Sequence, residues 1–139
     1  MRKPLLSAAL LLAIHDPAAL ACGVCVEDKI ASVYDHAVVI RALSLKHQVL
    51  FFALDGRLAG TAAERQVLER AAAAVHGVDA GSARVSLETA TLSVAIDPGR
   101  TRVAAVERSL QSTLARRSLT LELLRVMDKT AEFKIAPRP

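Results

Sequence analysis

The segment "SARVSLETATLSVAIDP", residues 82–98, decides the fold. Val85 and Leu87 alternate with polar neighbours, and Leu92, Val94 and Ile96 repeat the alternation before Asp97-Pro98-Gly99. Successive side chains on a strand point to opposite faces, so this spacing predicts two strands joined by a tight turn near Glu88-Thr89. The second strand ends in "VAIDP" (94–98), and "FALDG" (52–56) has the same form earlier in the chain. Each copy runs into a polar turn and then a helix carrying Glu-Arg, at 64–65 and 107–108. The chain therefore reads as a repeated strand–helix–strand unit.

Both helices carry their own signals. Thr61 followed by Glu64 is a capping-box start, Gly77 is a stop, and Val67, Leu68, Ala71 and Val75 form the face to be buried. Thr101 opens the second helix, with Val103, Val106, Leu110 and Leu114 inward, and "LTLELLRVM" (119–127) is the last strand. The order β-α-β-β-α-β predicts an α+β, ferredoxin-like fold, a four-stranded antiparallel sheet with both helices on one face. The first strand, "VLFFALDG" (49–56), hardly alternates, which is the mark of a strand covered on both sides. A cover for the second face lies upstream. Residues 26–45 predict one extra N-terminal helix whose stripe is Ile30, Val33, Tyr34, Ala37 and Ile40, with Asp28, Lys29, Asp35 and Arg41 off it. A dimer contact is the alternative cover.

Residues 49–127 resemble the heavy-metal-associated domain, the ferredoxin-like unit of copper chaperones and copper-pumping ATPases. The stretch "AAAAVHGVDAGSARVSLETATLSVAIDP" (71–98) carries the resemblance: a helix-end "GV" turn, a strand, a hairpin and a second strand closing in a polar turn. The resemblance implies a metal-binding CxxC in the loop after the first strand. Here that loop is "LDGRLAGT" (54–61), without cysteine or histidine.

The chain's two cysteines stand elsewhere, in Cys22-Gly-Val-Cys25. Arg2, Lys3, the apolar run Leu5–Ile14 and Ala19-Leu20-Ala21 form a secretory signal with cleavage after Ala21. Cleavage places the thiol pair at the start of a periplasmic or secreted chain; lipid modification of Cys22 is the competing reading. The apolar run is too short to span a bilayer, so no transmembrane segment is expected. The chain divides into a signal peptide (1–21), a CxxC segment with the N-terminal helix (22–46), the ferredoxin-like domain (47–127) and a C-terminal tail (128–139).

Two soft thiolates two residues apart suit Cu(I) or zinc, and two sulfurs alone complete linear Cu(I) but not tetrahedral zinc. The start of a helix further favours thiolate charge. His36, His47, His76 and Met127 are the remaining candidate ligands; His36 lies too far up a continuous helix to meet Cys25. Thiol–disulfide exchange and an idle disulfide are the competing uses of the pair, and a non-metal adaptor using a bare sheet face is a third. The expected function is metal sequestration or exchange with a donor or acceptor protein, and the pair is expected to share one end of the molecule with the loop around Arg57. A net charge of +4, aromatics of 3% and no tryptophan argue against nucleic-acid binding. "GRLAGT" lacks the ending of a phosphate loop, Asp55 and Asp97 read as turn caps, Glu27, Asp28 and Asp35 read as a solvated helix face, and no enzyme is expected.

Overall fold

The central strand organises the molecule. In a computed structural model that describes residues 25–130, strand β1 (Gln48–Asp55) is buried along almost its whole length. Leu50, Phe52 and Leu54 point to one side, and Val49 and Phe51 to the other. Each set needs its own cover, and each has one. Helices α3 (Ala62–Ala73) and α4 (Val103–Ala115) close the first side, with Leu68, Ala72, Val106, Leu110 and Leu114 inward. Helices α1 (Val26–Val33) and α2 (His36–Ser44) close the second, with Ile30, Val33, Val39, Ala42 and Leu43 inward. The protein is thus three layers, helices–sheet–helices.

Strands β2 (Arg84–Ser86), β3 (Thr91–Ile96) and β4 (Thr120–Met127) complete an antiparallel sheet in the order β2-β3-β1-β4. With β1-α3-β2-β3-α4-β4 along the chain, this is the ferredoxin-like arrangement that the repeat predicts. The two "strand–Asp" copies lie side by side as antiparallel β1 and β3, with Val49 opposite Ala95 and Phe51 opposite Ser93.

The leading helix differs from expectation. Residues 26–45 form two helices, because Tyr34 and Asp35 are extended. The break has identifiable causes. Asp35 accepts a hydrogen bond from the Val38 amide and so caps α2, while its other oxygen takes the Arg84 guanidinium at 2.9 Å. The Val33 carbonyl, freed at the end of α1, accepts from the Ser93 hydroxyl on β3. The stripe therefore does not continue through the break: Tyr34 and Ile40 are 42% and 47% exposed, and α2 buries Val39, Ala42 and Leu43 instead. Helix α2 ends with Lys46 at φ 61°, the His47 amide returning to Ala42 and the Lys46 amide to Leu43. This left-handed closure turns the chain directly into β1.

The polar positions of β3 also face inward. Thr91, Ser93 and Ala95 lie under the α1–α2 layer and are buried, and their small size lets α1 approach the sheet. Among the described residues every buried side-chain nitrogen and oxygen has a partner. No helix there is long and apolar enough to cross a membrane.

Phe51 measures how firmly the second layer is attached. Phe51→Ala is expected to cost about 3–5 kcal/mol in urea unfolding, comparable to Phe52→Ala on the opposite face. A near-neutral Phe51→Ala would mean that α1 and α2 contribute little to the fold.

Candidate functional site

The candidate site is the N-terminal end of α1, where the sulfur-bearing side chain of Cys25 is exposed at the helix N-cap. Its Sγ donates to Oδ2 of Asp28 at 3.0 Å, and its carbonyl accepts from the Lys29 amide. Glu27 and Asp28 occupy the first turn, as the sequence indicates. Cys22, the segment 1–21 that the sequence reads as a secretory signal, and the tail beyond residue 130 lie outside the described residues.

What fixes this helix end is an ion pair that no local pattern announces. Arg125, on β4, donates Nη1 to Oε2 of Glu27 at 3.0 Å and Nη2 to Oε1. That bond holds the Glu27 carboxyl below the ordinary carboxylate range and raises the Arg125 guanidinium. Helix α1 then crosses the sheet. Its far end is tied to β3 through Ser93 and to the β2–β3 hairpin through Ser32 and Thr89, whose hydroxyls are 2.6 Å apart. Cys25 accordingly sits at the β4 side of the second helical layer.

The loop after β1 meets the other end of α1. Ser32 lines a surface cleft of about 390 Å³ together with Gly60, Thr61 and Arg65, one helix length of about 12 Å from the cysteine end. The 54–61 loop is itself closed by hydrogen bonds: Thr61 accepts from the Glu64 amide, and Glu64 Oε2 accepts from the Gly60 amide. The predicted Thr61 cap is present, while Glu64 reaches back to the Gly60 amide, one residue beyond the Thr61 amide of a standard capping box.

The other candidate ligands are dispersed. His36 opens α2, beyond the helix break, with its ring centroid 6.3 Å from that of Tyr34. Met127 is half-buried on β4 opposite Val49, packed against the second core, in the same face as Arg125. His76 is exposed at the end of α3, beside Arg116 and Arg117. His47 lies at the α2–β1 corner, its Nδ1 2.6 Å from Oδ2 of Asp79 and its Nε2 3.7 Å from Oδ2 of Asp97. Among the described residues no three histidine, cysteine or carboxylate side chains converge on one point. Asp97 also caps its own turn as expected, accepting from the Gly99 amide. Glu27 and Asp35, in contrast to a purely solvated face, are claimed by Arg125 and Arg84.

No family model matches the sequence, and no curated protein matches it. Solved structures similar to it include oxidised MerP from Ralstonia metallidurans, at 20% identity over 57% of this chain and 99% of that one, with a TM-score of 0.45. A copper-binding domain of the P-type ATPase HMA7 is similar at 20% identity, over 57% of this chain and 96% of that one, with a TM-score of 0.45. The Cu(I)-loaded N-terminal domain of a potential copper-translocating ATPase from Bacillus subtilis is similar at 18% identity, over 66% and 99% of the two chains, with a TM-score of 0.44. At these identities the likeness is one of fold.

Asp35 gives the second layer a signature in acid. The Val38 amide and then Arg84 hold its carboxyl below the ordinary value, so the folded state binds this proton more weakly than the unfolded chain. The stabilisation is present above the unfolded value of about 3.9 and is lost as pH falls through the folded one. Unfolding midpoints from pH 5 to pH 2 should therefore fall more steeply for the native protein than for Asp35→Asn. Parallel curves would show that the carboxylate contributes nothing.

Proposed function

We propose that the protein binds a soft metal ion, Cu(I) foremost, through Cys22 and Cys25 in an exported chain, for sequestration or handover to a partner protein. The observation that carries this reading is the exposed Cys25 thiol at the start of a helix pinned to the sheet by Glu27 and Arg125. A thiol so placed is open to solvent on a supported backbone, and Cys22 precedes it at CxxC spacing. Both sulfurs of such a loop reach one ion, and the helix start favours their negative charge. The resemblance of residues 49–127 to the heavy-metal-associated domain supports the same class of ligand. The capped, cysteine-free loop after β1 supports placing it on the N-terminal segment.

The chemistry at Cys25 follows from its contacts. The proton shared with Asp28 leaves when the sulfur takes a metal, so binding releases protons and tightens as pH rises. Zinc needs donors beyond two sulfurs, whereas linear Cu(I) does not, which favours copper. Exposure suits transfer, because an incoming partner thiol can reach the ion before the outgoing one leaves. The protein is read as a binder and carrier rather than an enzyme, and removal of residues 1–21 delivers it to the periplasm or beyond.

Competitive titration of the reduced protein with Cu(I) tests the proposal. Cys22→Ser combined with Cys25→Ser should abolish tight binding while the unfolding midpoint stays within error of the native value. An unchanged Cu(I) affinity in that variant would remove the thiol pair from the function. Mass spectrometry of the exported chain should show an N-terminus at Cys22, free of lipid.

A further inference from the structure

The α3–α4 layer carries the molecule's charge. Arg65 and Arg70 lie on α3 and Arg108 on α4, while Arg100, Arg102, Arg116 and Arg117 flank α4 at its two ends; all are exposed. The layer's glutamates, Glu64, Glu69 and Glu107, are half-buried, and two of them are taken by backbone amides, Glu64 by Gly60 and Glu69 by Val85. Among the described residues the arginines in ion pairs, Arg84 and Arg125, meet Asp35 and Glu27 on the other side of the sheet. Arg70 and Arg108 instead donate to carbonyls of their own helices, Gln66 and Ala104. Seven arginines against three glutamates leave an excess of four, equal to the formal net charge of the whole chain, +4, so the rest of the sequence is balanced. The layer contains no lysine.

We propose that this face docks on a bilayer surface bearing anionic phospholipids, its arginines against the headgroup phosphates. The guanidinium fork matches two phosphate oxygens at once, which an ammonium does not. The cations are spread rather than gathered on one point: α4 alone rises about 20 Å between its flanking arginines. Between the helices an open cleft of about 710 Å³, lined by Ala71, Ala74 and Ser109 together with Arg116 and Arg117, has room for a headgroup. A protein partner fits this face less well, because the core of such an interface is apolar and depleted of charge. The large apolar side chains that stay exposed, Val26, Tyr34, Ile40 and Leu45, all belong to the opposite layer. Nucleic acid presents the same phosphodiester, but the layer has no aromatic side chain on which a base could stack. Docking by α3 and α4 turns α1 away from the bilayer and leaves Cys25 accessible. It needs neither the thiols nor a metal.

The test sediments the exported chain with phosphatidylcholine vesicles prepared with and without phosphatidylglycerol. The protein should pellet with the anionic vesicles, stay in solution with the neutral ones, and be released by added sodium chloride. Arg116→Gln combined with Arg117→Gln should weaken the partition about fivefold for each arginine removed. Arg41→Gln combined with Lys46→Gln removes the same charge from the opposite layer and should leave it near the native value. Urea unfolding midpoints confirm that both variants are folded. Equal binding to neutral vesicles, no binding to either, or the same response to both double variants would overturn the proposal. So would displacement by poly-glutamate or duplex DNA at a lower charge concentration than the phospholipid, which would give the face to an acidic protein or to nucleic acid. Vesicle binding does not depend on the Cu(I) titration, so either reading can fail alone.

Discussion

Everything else in the structure answers to the burial of β1 on both faces. Phe51 and Phe52 are adjacent in sequence and point into opposite cores, so a single helical layer leaves one of them in water. Burying a phenylalanine side chain stabilises by roughly 1.5–3 kcal/mol, and each face adds aliphatic neighbours to that. The α3–α4 layer comes with the strand–helix repeat. The α1–α2 layer is an addition, and the sheet is adapted to it: β3 turns Thr91, Ser93 and Ala95 toward α1, where larger side chains would hold the helix away.

This adaptation explains how much was legible in the sequence. The repeat, the capping box at Thr61 and the alternation of β2 and β3 are local patterns, and they yield the sheet and both of its repeat helices. The unbroken apolar run of β1 also gave away the second cover. The break at Tyr34-Asp35 was not legible, because helical periodicity is continuous through it. Asp35 caps α2 through one oxygen and meets Arg84 on β2 through the other, a partner 49 residues away. The polar side of β3 likewise reads as solvent-facing until α1 is seen on top of it.

The site divides in the same way. A CxxC followed by acidic residues and an apolar stripe marks a cysteine at a helix start, and Cys25 is found there. What holds that helix start, Arg125, is 98 residues away, and what orients His47, Asp79, is 32 residues away. Asp79 sits in a turn-rich stretch where an aspartate usually serves its own backbone. Long-range polar pairs of this kind leave no trace in spacing, whereas the exclusion of the 54–61 loop as a metal site needed only the absence of cysteine and histidine.

The two ends of α1 are fastened by different physics. The far end is tied by hydroxyl and carbonyl hydrogen bonds, one of them buried. The cysteine end is tied by Glu27 and Arg125, whose side chains are 68% and 41% exposed. Charges in contact with solvent are screened by dissolved ions, with a Debye length of about 8 Å at physiological ionic strength and about 30 Å in dilute buffer. The ion pair at the cysteine end is therefore the fastening of α1 that added salt weakens, while Ile30 and Val33 stay packed in the core. Ionic strength acts on the Glu27–Arg125 tie, as it does on the Arg84–Asp35 pair, and leaves the hydroxyl bonds at the far end of α1 untouched.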